Sequence, residues 1–355
     1  MPDGAFDEAQ RPAFHGVPNV APDVAANAAA DVVARVAGEV AHTVAAEVMS
    51  GPASRQPAPR PPARFGAVIT AMVTPFGAAG ELDLDGAVRL ARWLASHGSD
   101  GLAIAGSTGE GPSLDDSERT DLFEAVKGAV TIPVLAATGT AGTAHSIEMT
   151  QSAQKAGVDG ILLVTPYYLR PSQSGLANHF RMVAAATNLP ILLYDIPSRT
   201  GRKVAAPTLL RLAEEVPNIV GVKDAAGDAA ATAALIAEAP PGFELYSGDD
   251  SLTLPLLSVG AVGVISVASH WAGETMLHMV RSYLAGEVEA ARVANASLVP
   301  SYAFESSEVW PNPLPAKAAC RALGLPAGQC RPPLGPAGAD LDEQARSILA
   351  GLARL

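Results

Sequence analysis

This chain lacks most of what a disulfide scaffold, a metal site or a polyanion-binding protein requires. It holds only two cysteines, Cys320 and Cys330, in 355 residues. They sit close together near the C-terminus, too few to frame a fold of this size, and read as two ordinary free thiols. The seven histidines show no His-x-x-x-His spacing, a single Glu39-x-x-His42 has no second pair to complete it, and no second Cys/His pair joins the cysteines. No metal site is therefore expected. Lysine and arginine number 24 against 36 aspartates and glutamates, a formal net charge of −12. Without a basic stripe, nucleic acid is excluded as the main partner. No uninterrupted apolar run approaches the length that spans a bilayer. Nor does a positively charged start lead into an apolar segment, so no membrane partner and a cytoplasmic location are expected. Three signatures are also missing: a Gly-x-Gly-x-x-Gly turn after the first apolar run, a Gly-Lys-Ser/Thr phosphate loop and a Gly-x-Ser-x-Gly elbow. With 48% hydrophobic and 17% charged residues, what is left is a globular chain with a well-filled core.

Residues 1–64 stand apart from the rest. Gly51 to Arg64 is rich in Pro, Ala and Arg and reads as a flexible linker. Before it, Val32, Val36, Val40, Val44 and Val48 recur every fourth residue, a drifting stripe on one helix face. Two readings stand: a marginal Ala-rich helix that stays mobile, or a small helix that docks on a partner or on its own barrel. Frequent acidic residues, among them Asp3, Asp7 and Glu8, argue against a transit peptide. The expectation is a disordered or weakly helical extension.

From Phe65 short apolar runs alternate with longer amphipathic ones. Strands are expected at Ala67–Val73, Gly101–Ala105, Pro133–Ala137, Gly160–Val164, Pro190–Leu193, Ile219–Val222, Phe243–Tyr246 and Gly263–Ile265. Helical patterns fill the gaps, including Leu84–Ser96, Asp115–Ala129, Thr143–Ala156 and Ser174–Ala186, with Asp115 and Thr143 at N-cap positions. Eight strand–helix units, about 27 residues each, predict a (β/α)8 TIM barrel over residues 65–286. Nearly continuous apolar strands suit a parallel sheet buried on both faces. Gly98, Gly157 and Gly260 each precede a strand and read as helix-ending turns. Patterns at Trp271–Ala285, Val288–Val299, Pro315–Leu323 and Leu341–Leu352 predict a C-terminal helical appendage, assigned to residues 287–355.

A barrel gathers its strand C-termini at one mouth. Polar residues end several strands here: Thr74, Ser107, Thr108, Thr138, Tyr167, Tyr168, Tyr194, Lys223, Ser247 to Asp249 and Ser266. Lys223 is the most informative, because it closes the apolar run Ile219 to Val222 rather than lying on a solvated helix face. Apolar surroundings disfavour the charged form of a lysine, and a neutral amine attacks ketones to give an imine that serves as an electron sink. The bland alternative is a lysine paired with Asp224 at the rim. Tyr194 closes Ile191 to Leu193 and could move protons near such an imine, or could be an ordinary core tyrosine. The loop Gly106-Ser107-Thr108-Gly109-Glu110-Gly111 offers N–H groups and hydroxyls to a small anion, or is simply a turn.

Taken together and in order, these segments resemble the dihydrodipicolinate synthase / N-acetylneuraminate lyase family of pyruvate aldolases. The matching landmarks are Thr70 to Phe76, Gly106 to Glu110, Val164 to Tyr168, Tyr194 to Gly201, Gly221 to Asp224, Ser247 to Asp250 and Gly263 to Ser266. Pro311 to Lys317 matches the synthase branch, and the resemblance covers residues 65 to 353. It implies a cofactor-free lyase in which Lys223 forms a Schiff base with pyruvate and Tyr194 transfers protons. Ser107 would link Tyr194 to Tyr168 contributed by a neighbouring subunit, and Ser107 and Thr108 would hold the pyruvate carboxylate. Gly248, Asp249 and the Ile265 carbonyl would line the pocket. Arg199 would receive the carboxylate of aspartate semialdehyde, a task that suits a guanidinium. The implied product is 4-hydroxy-tetrahydrodipicolinate, on the way to diaminopimelate and lysine, and the implied assembly is a homodimer or homotetramer.

Three departures from the family pattern stand out. Ser107 occupies a position where many synthases carry Thr, Asp195 replaces a frequent Asn, and Asp116, Ala141 and His145 replace the His, Asn and Glu of lysine-sensitive members. Weak or absent inhibition by lysine follows. Two other functions remain open from the sequence: a related lyase acting on a 2-keto-3-deoxy sugar acid or a sialic acid, and a non-catalytic regulatory member.

Overall fold

A computed structural model of the chain describes residues 62–352. The valine-striped segment and most of the Pro/Ala/Arg-rich linker lie outside the described residues.

Eight parallel strands close into a barrel in sequence order: β1 (Val68–Ala71), β2 (Gly101–Ile104), β3 (Val134–Ala137), β4 (Gly160–Val164), β5 (Ile191–Asp195), β6 (Ile219–Asp224), β7 (Glu244–Ser247) and β8 (Gly263–Ser266). Closure is made by β1, where Ile69 pairs with Gly101 on one side and Ile265 on the other. Side chains alternate between two apolar layers, as the strand period of two requires. Ile161 and Leu163 of β4, with Ile191 and Leu193 of β5, face the surrounding helices. Leu162, Leu192 and Tyr194 point into the barrel with Ile69, Leu135, Tyr246 and Ile265. Both faces are dry, which explains the near-unbroken apolar runs in the sequence.

The helices begin and end largely where residue chemistry dictates. Asp115 caps the helix Asp116–Ala129 with a full capping box, its carboxylate accepting from the Glu118 N–H while Glu118 reaches back to the Asp115 N–H. Thr143 is not the cap expected of it. Gly142 takes that position, and the Thr143 hydroxyl is engaged by His179 Nδ1 of a neighbouring helix at 3.0 Å. Gly98, Gly157 and Gly260 adopt φ of 93°, 79° and 118°, the left-handed turns expected before β2, β4 and β8.

Two strands run two residues further than the sequence pattern indicates. β5 and β6 continue through Asp195 and Asp224, with Tyr194 opposite Lys223 and Asp195 opposite Asp224. The carboxylates turn outward and are satisfied there. Asp195 accepts the Val204 N–H at 3.1 Å, and Asp224 accepts from the Ala226 N–H at 2.9 Å and the Thr232 hydroxyl at 2.6 Å.

The C-terminal helices Ser269–Leu284, Val288–Phe304, Leu314–Ala322 and Ala339–Leu352 close the fold. Trp271 Nε1 donates to Ser301 Oγ at 3.0 Å, locking the first of them to the second. Arg321 pairs with Asp342 to join the last two. Cys320 and Cys330 are both free and buried. Among the described residues no helix is long and apolar enough to cross a membrane.

Candidate active site

A cavity of about 330 Å3 opens at the C-terminal mouth of the barrel. Its wall includes Ser107, Tyr167, Tyr194, Arg199 and Asn312. β5 and β6 deliver the two central side chains. Tyr194 and Lys223 are register partners on adjacent strands, both pointing inward, and are 6% and 5% exposed. The Lys223 ammonium nitrogen lies 4.3 Å from the centre of the Tyr194 ring. Asp224 does not hold this amine at the rim, because its carboxylate is directed at the helix layer, as strand alternation demands.

Gly248 supplies the space Lys223 needs. A Cβ there would stand 2.8 Å from the Ala225 Cβ and 3.0 Å from Lys223 Cε. Its N–H donates to the Asp224 carbonyl at 2.7 Å, which pins the turn after β7 against β6. Asp249 faces away from the cavity: its carboxylate accepts from the Ser251 N–H and hydroxyl at 2.9 and 2.7 Å. Ile265 sits in the inner apolar layer at the barrel's closing seam.

The loop between β2 and the helix Asp116–Ala129 carries Ser107 and Thr108. Two of its non-glycine residues, Ala105 and Glu110, hold left-handed backbone angles, with φ of 54° and 53°. The Thr74 hydroxyl donates to the Gly109 carbonyl at 2.6 Å, tying the loop to the end of β1. Thr108 is buried and its hydroxyl accepts from Asn312 Nδ2 at 3.0 Å. Arg199 rises from the short helix Pro197–Thr200 and directs a guanidinium N–H at the Asn312 carbonyl, 3.5 Å away. It stands exposed at the cavity wall.

Tyr168 is not brought into this chain's own cavity. It is 89% exposed, with φ of 71°, and its neighbour Leu169 is 64% exposed. Tyr167 lines the wall instead. Other strand-end residues expected at the mouth serve the scaffold. Thr138 bonds Thr150 at 2.7 Å, Ser247 donates to the Asp249 carbonyl at 2.7 Å, and Ser266 accepts from the Ser269 N–H at 2.9 Å. Each satisfies a buried polar group locally, and none of the three lines the cavity.

Asn312 and Arg119 carry no sequence signal of a site, yet both line the cavity. Arg119 is buried, and its guanidinium donates to the Ala137 carbonyl. Asn312 lay within a recognised motif, but no local pattern distinguishes it from a loop asparagine. Among the described residues, no group of three or more His, Cys, Asp or Glu side chains is placed to hold a metal ion.

Known proteins resemble this chain throughout the region that builds the site. A 4-hydroxy-tetrahydrodipicolinate synthase from Moorella thermoacetica is 54% identical over 273 residues, 76% of this chain and 92% of that protein. Its counterpart from Acidothermus cellulolyticus is 49% identical, covering 81% of this chain and 93% of the relative. Among solved structures, dihydrodipicolinate synthase from Cyanidioschyzon merolae with lysine bound superposes with a TM-score of 0.79 at 43% identity, covering 82% of this chain and 99% of that one. The sequence model of the dihydrodipicolinate synthetase family matches residues 64–351, and the chain belongs to that family.

Proposed function

We propose that this chain condenses pyruvate with L-aspartate 4-semialdehyde to give 4-hydroxy-tetrahydrodipicolinate, the reaction named for its relatives. The observation that carries the reading is the Lys223 amine, buried in the barrel 4.3 Å from the centre of the Tyr194 ring, which itself lines the mouth cavity. The amine adds to the pyruvate ketone, and loss of water from the carbinolamine gives an imine. A proton then leaves the methyl carbon, and the resulting enamine attacks the aldehyde carbon to form the new C–C bond. Attack of the semialdehyde's own amine on the imine carbon closes the ring and releases Lys223.

In this reading Tyr194 shuttles protons to and from the carbinolamine oxygen. Ser107 and Thr108 hold the pyruvate carboxylate, and Arg199 receives the carboxylate of the semialdehyde. Gly248 leaves room for the lysine, and Asp249 and Ile265 support the wall beside it. Tyr168, exposed and out of reach of its own cavity, completes the site of a second copy, so the active species is a homo-oligomer, dimer or tetramer, in the cytoplasm. No cofactor takes part.

The test is reduction with borohydride in the presence of pyruvate, read by intact mass and peptide mapping. The reading requires one pyruvate-derived adduct, on Lys223, and none in Lys223→Ala. Steady-state assays with aspartate semialdehyde and with sugar-acid aldehydes then decide the acceptor. Turnover confined to the sugar acids would overturn the synthase assignment, and no adduct at all would leave a regulatory protein.

A further inference from the structure

At the end of the Ser107–Thr108 loop lies an ion pair that the proposed chemistry does not use. Glu110 and Lys317 are 1% and 0% exposed, and their charged atoms lie 2.6 Å apart. Lys317 lies in the first turn of the C-terminal helix Leu314–Ala322, far in sequence from the loop. Its ammonium also donates to the Gln329 carbonyl at 3.0 Å and rests 4.1 Å from the centre of the Phe76 ring. The second Glu110 oxygen accepts the Arg331 N–H at 2.8 Å, and the Arg331 guanidinium covers Phe76 at 4.2 Å while pairing with Glu118. Glu110 is thus gripped on both oxygens by the appendage.

A buried pair of this kind is a poor source of stability, since removing two charges from water offsets most of their attraction. Its position indicates another use. Glu110 lies two residues after Thr108 and holds a left-handed backbone, as does Ala105 at the start of the loop. Strain of this sort persists only where the surroundings over-determine it. Asn312, from the same C-terminal segment, donates to the Thr108 hydroxyl. The segment therefore holds the anion-receiving loop at two points, at Glu110 by charge and at Thr108 by a hydrogen bond.

We propose that the Glu110–Lys317 pair is a positioning device, which fixes the Ser107–Thr108 loop in the shape that receives the pyruvate carboxylate and so makes the C-terminal appendage part of the substrate site. This rests on the reading of that loop given above. Glu110 borders the cavity, but both of its carboxylate oxygens are taken up by Lys317 and the Arg331 N–H. The role is one of holding hydroxyls and N–H groups in place before the ligand arrives.

The decisive comparison uses Glu110→Gln, Lys317→Met and the double variant. Each single change leaves one buried charge unpaired and lowers the melting temperature. The double variant removes both charges and recovers most of that loss. If the pair positions the loop, the double variant still shows a pyruvate KM raised tenfold or more, with the aspartate semialdehyde KM within about twofold and borohydride still labelling Lys223 at saturating pyruvate. A double variant with the parental pyruvate KM overturns the proposal. Failure of pyruvate labelling in the unsubstituted enzyme would instead overturn the functional reading on which it rests. Hydrogen exchange of the unsubstituted enzyme without pyruvate gives a second test that needs no variant. Amides of 107–110 should be protected as strongly as those of the Leu314–Ala322 helix. Free-chain exchange in the loop beside a protected helix refutes the device.

Discussion

Replacing Gly248 by alanine perturbs the site by one methyl group placed against the reacting amine. The added carbon would lie 3.0 Å from Lys223 Cε and 2.8 Å from the Ala225 Cβ. Carbon atoms at rest sit about 3.5–4.0 Å apart, so roughly 0.5–1 Å of movement is demanded. Ala225 is held, because its N–H donates to the Asp195 carbonyl at 2.9 Å. The Gly248 turn is held by its own bond to Asp224 at 2.7 Å. The lysine side chain is the member that yields, and its nitrogen leaves its place beside Tyr194. Misplacing a reacting group by about 1 Å costs on the order of 100-fold in rate, or about 2.7 kcal/mol of barrier. The expected outcome is a kcat/KM for pyruvate lowered by roughly 10- to 100-fold, with single-turnover labelling by borohydride slowed in parallel. Circular dichroism should show an unchanged fold. Undiminished turnover and labelling in Gly248→Ala would refute the claim that close packing here sets the amine's position.

Three further outcomes are expected. Tyr194→Phe keeps the ring beside Lys223 but removes the proton carrier, so kcat falls by about 10^2- to 10^4-fold while thermal stability changes little; a loss smaller than tenfold speaks against proton transfer by this phenol. Burial pushes the Asp195 carboxyl from its ordinary 3.8 up to about 6, with Lys203 and the Val204 N–H opposing. The unfolded chain therefore loses this proton first, and stability falls as pH rises from about 4 to about 6, by on the order of 3 kcal/mol from this group. Asp195→Asn should flatten that part of the profile and raise the melting temperature at pH 8, as read by thermal denaturation across pH; an unaltered profile contradicts it. Lysine should inhibit weakly or not at all at millimolar concentration, because His145 and Asp116 occupy each other at 2.8 Å where sensitive members use His and Glu to hold it. Strong inhibition in a steady-state assay would refute this.

How much of the site could be read in advance depended on whether each residue's role was local. Tyr194 and Lys223 were legible as polar strand ends because each closes an apolar run, whereas the face they share was decided by the closed barrel, since runs buried on both sides carry no alternation to read. The strand period of two sends Asp195 and Asp224 outward, so the rim pairing of Lys223 with Asp224 could be tested by alternation once the strands were found to continue through them. Thr138, Ser247 and Ser266 looked like mouth residues for the same positional reason. Their hydroxyls were instead taken by nearby partners, and a strand-end position alone does not reveal that competition. Thr143 failed as a cap in the same way, its hydroxyl drawn to His179 across a helix interface.

The sequence by itself determined the eightfold strand–helix alternation, the turn glycines, the capping of Asp116–Ala129 and the strand-end places of Lys223 and Tyr194, since each follows from spacing within a few residues. Only the tertiary structure decided that Asn312 meets Thr108, 204 residues away, and that Glu110 is buried against Lys317. It likewise decided that Asp249 turns from the cavity while Tyr168 stands in solvent. The physical reason is the same throughout. Backbone periodicity is a local property of the chain, whereas a polar side chain goes to whichever partner the closed fold brings within hydrogen-bond reach.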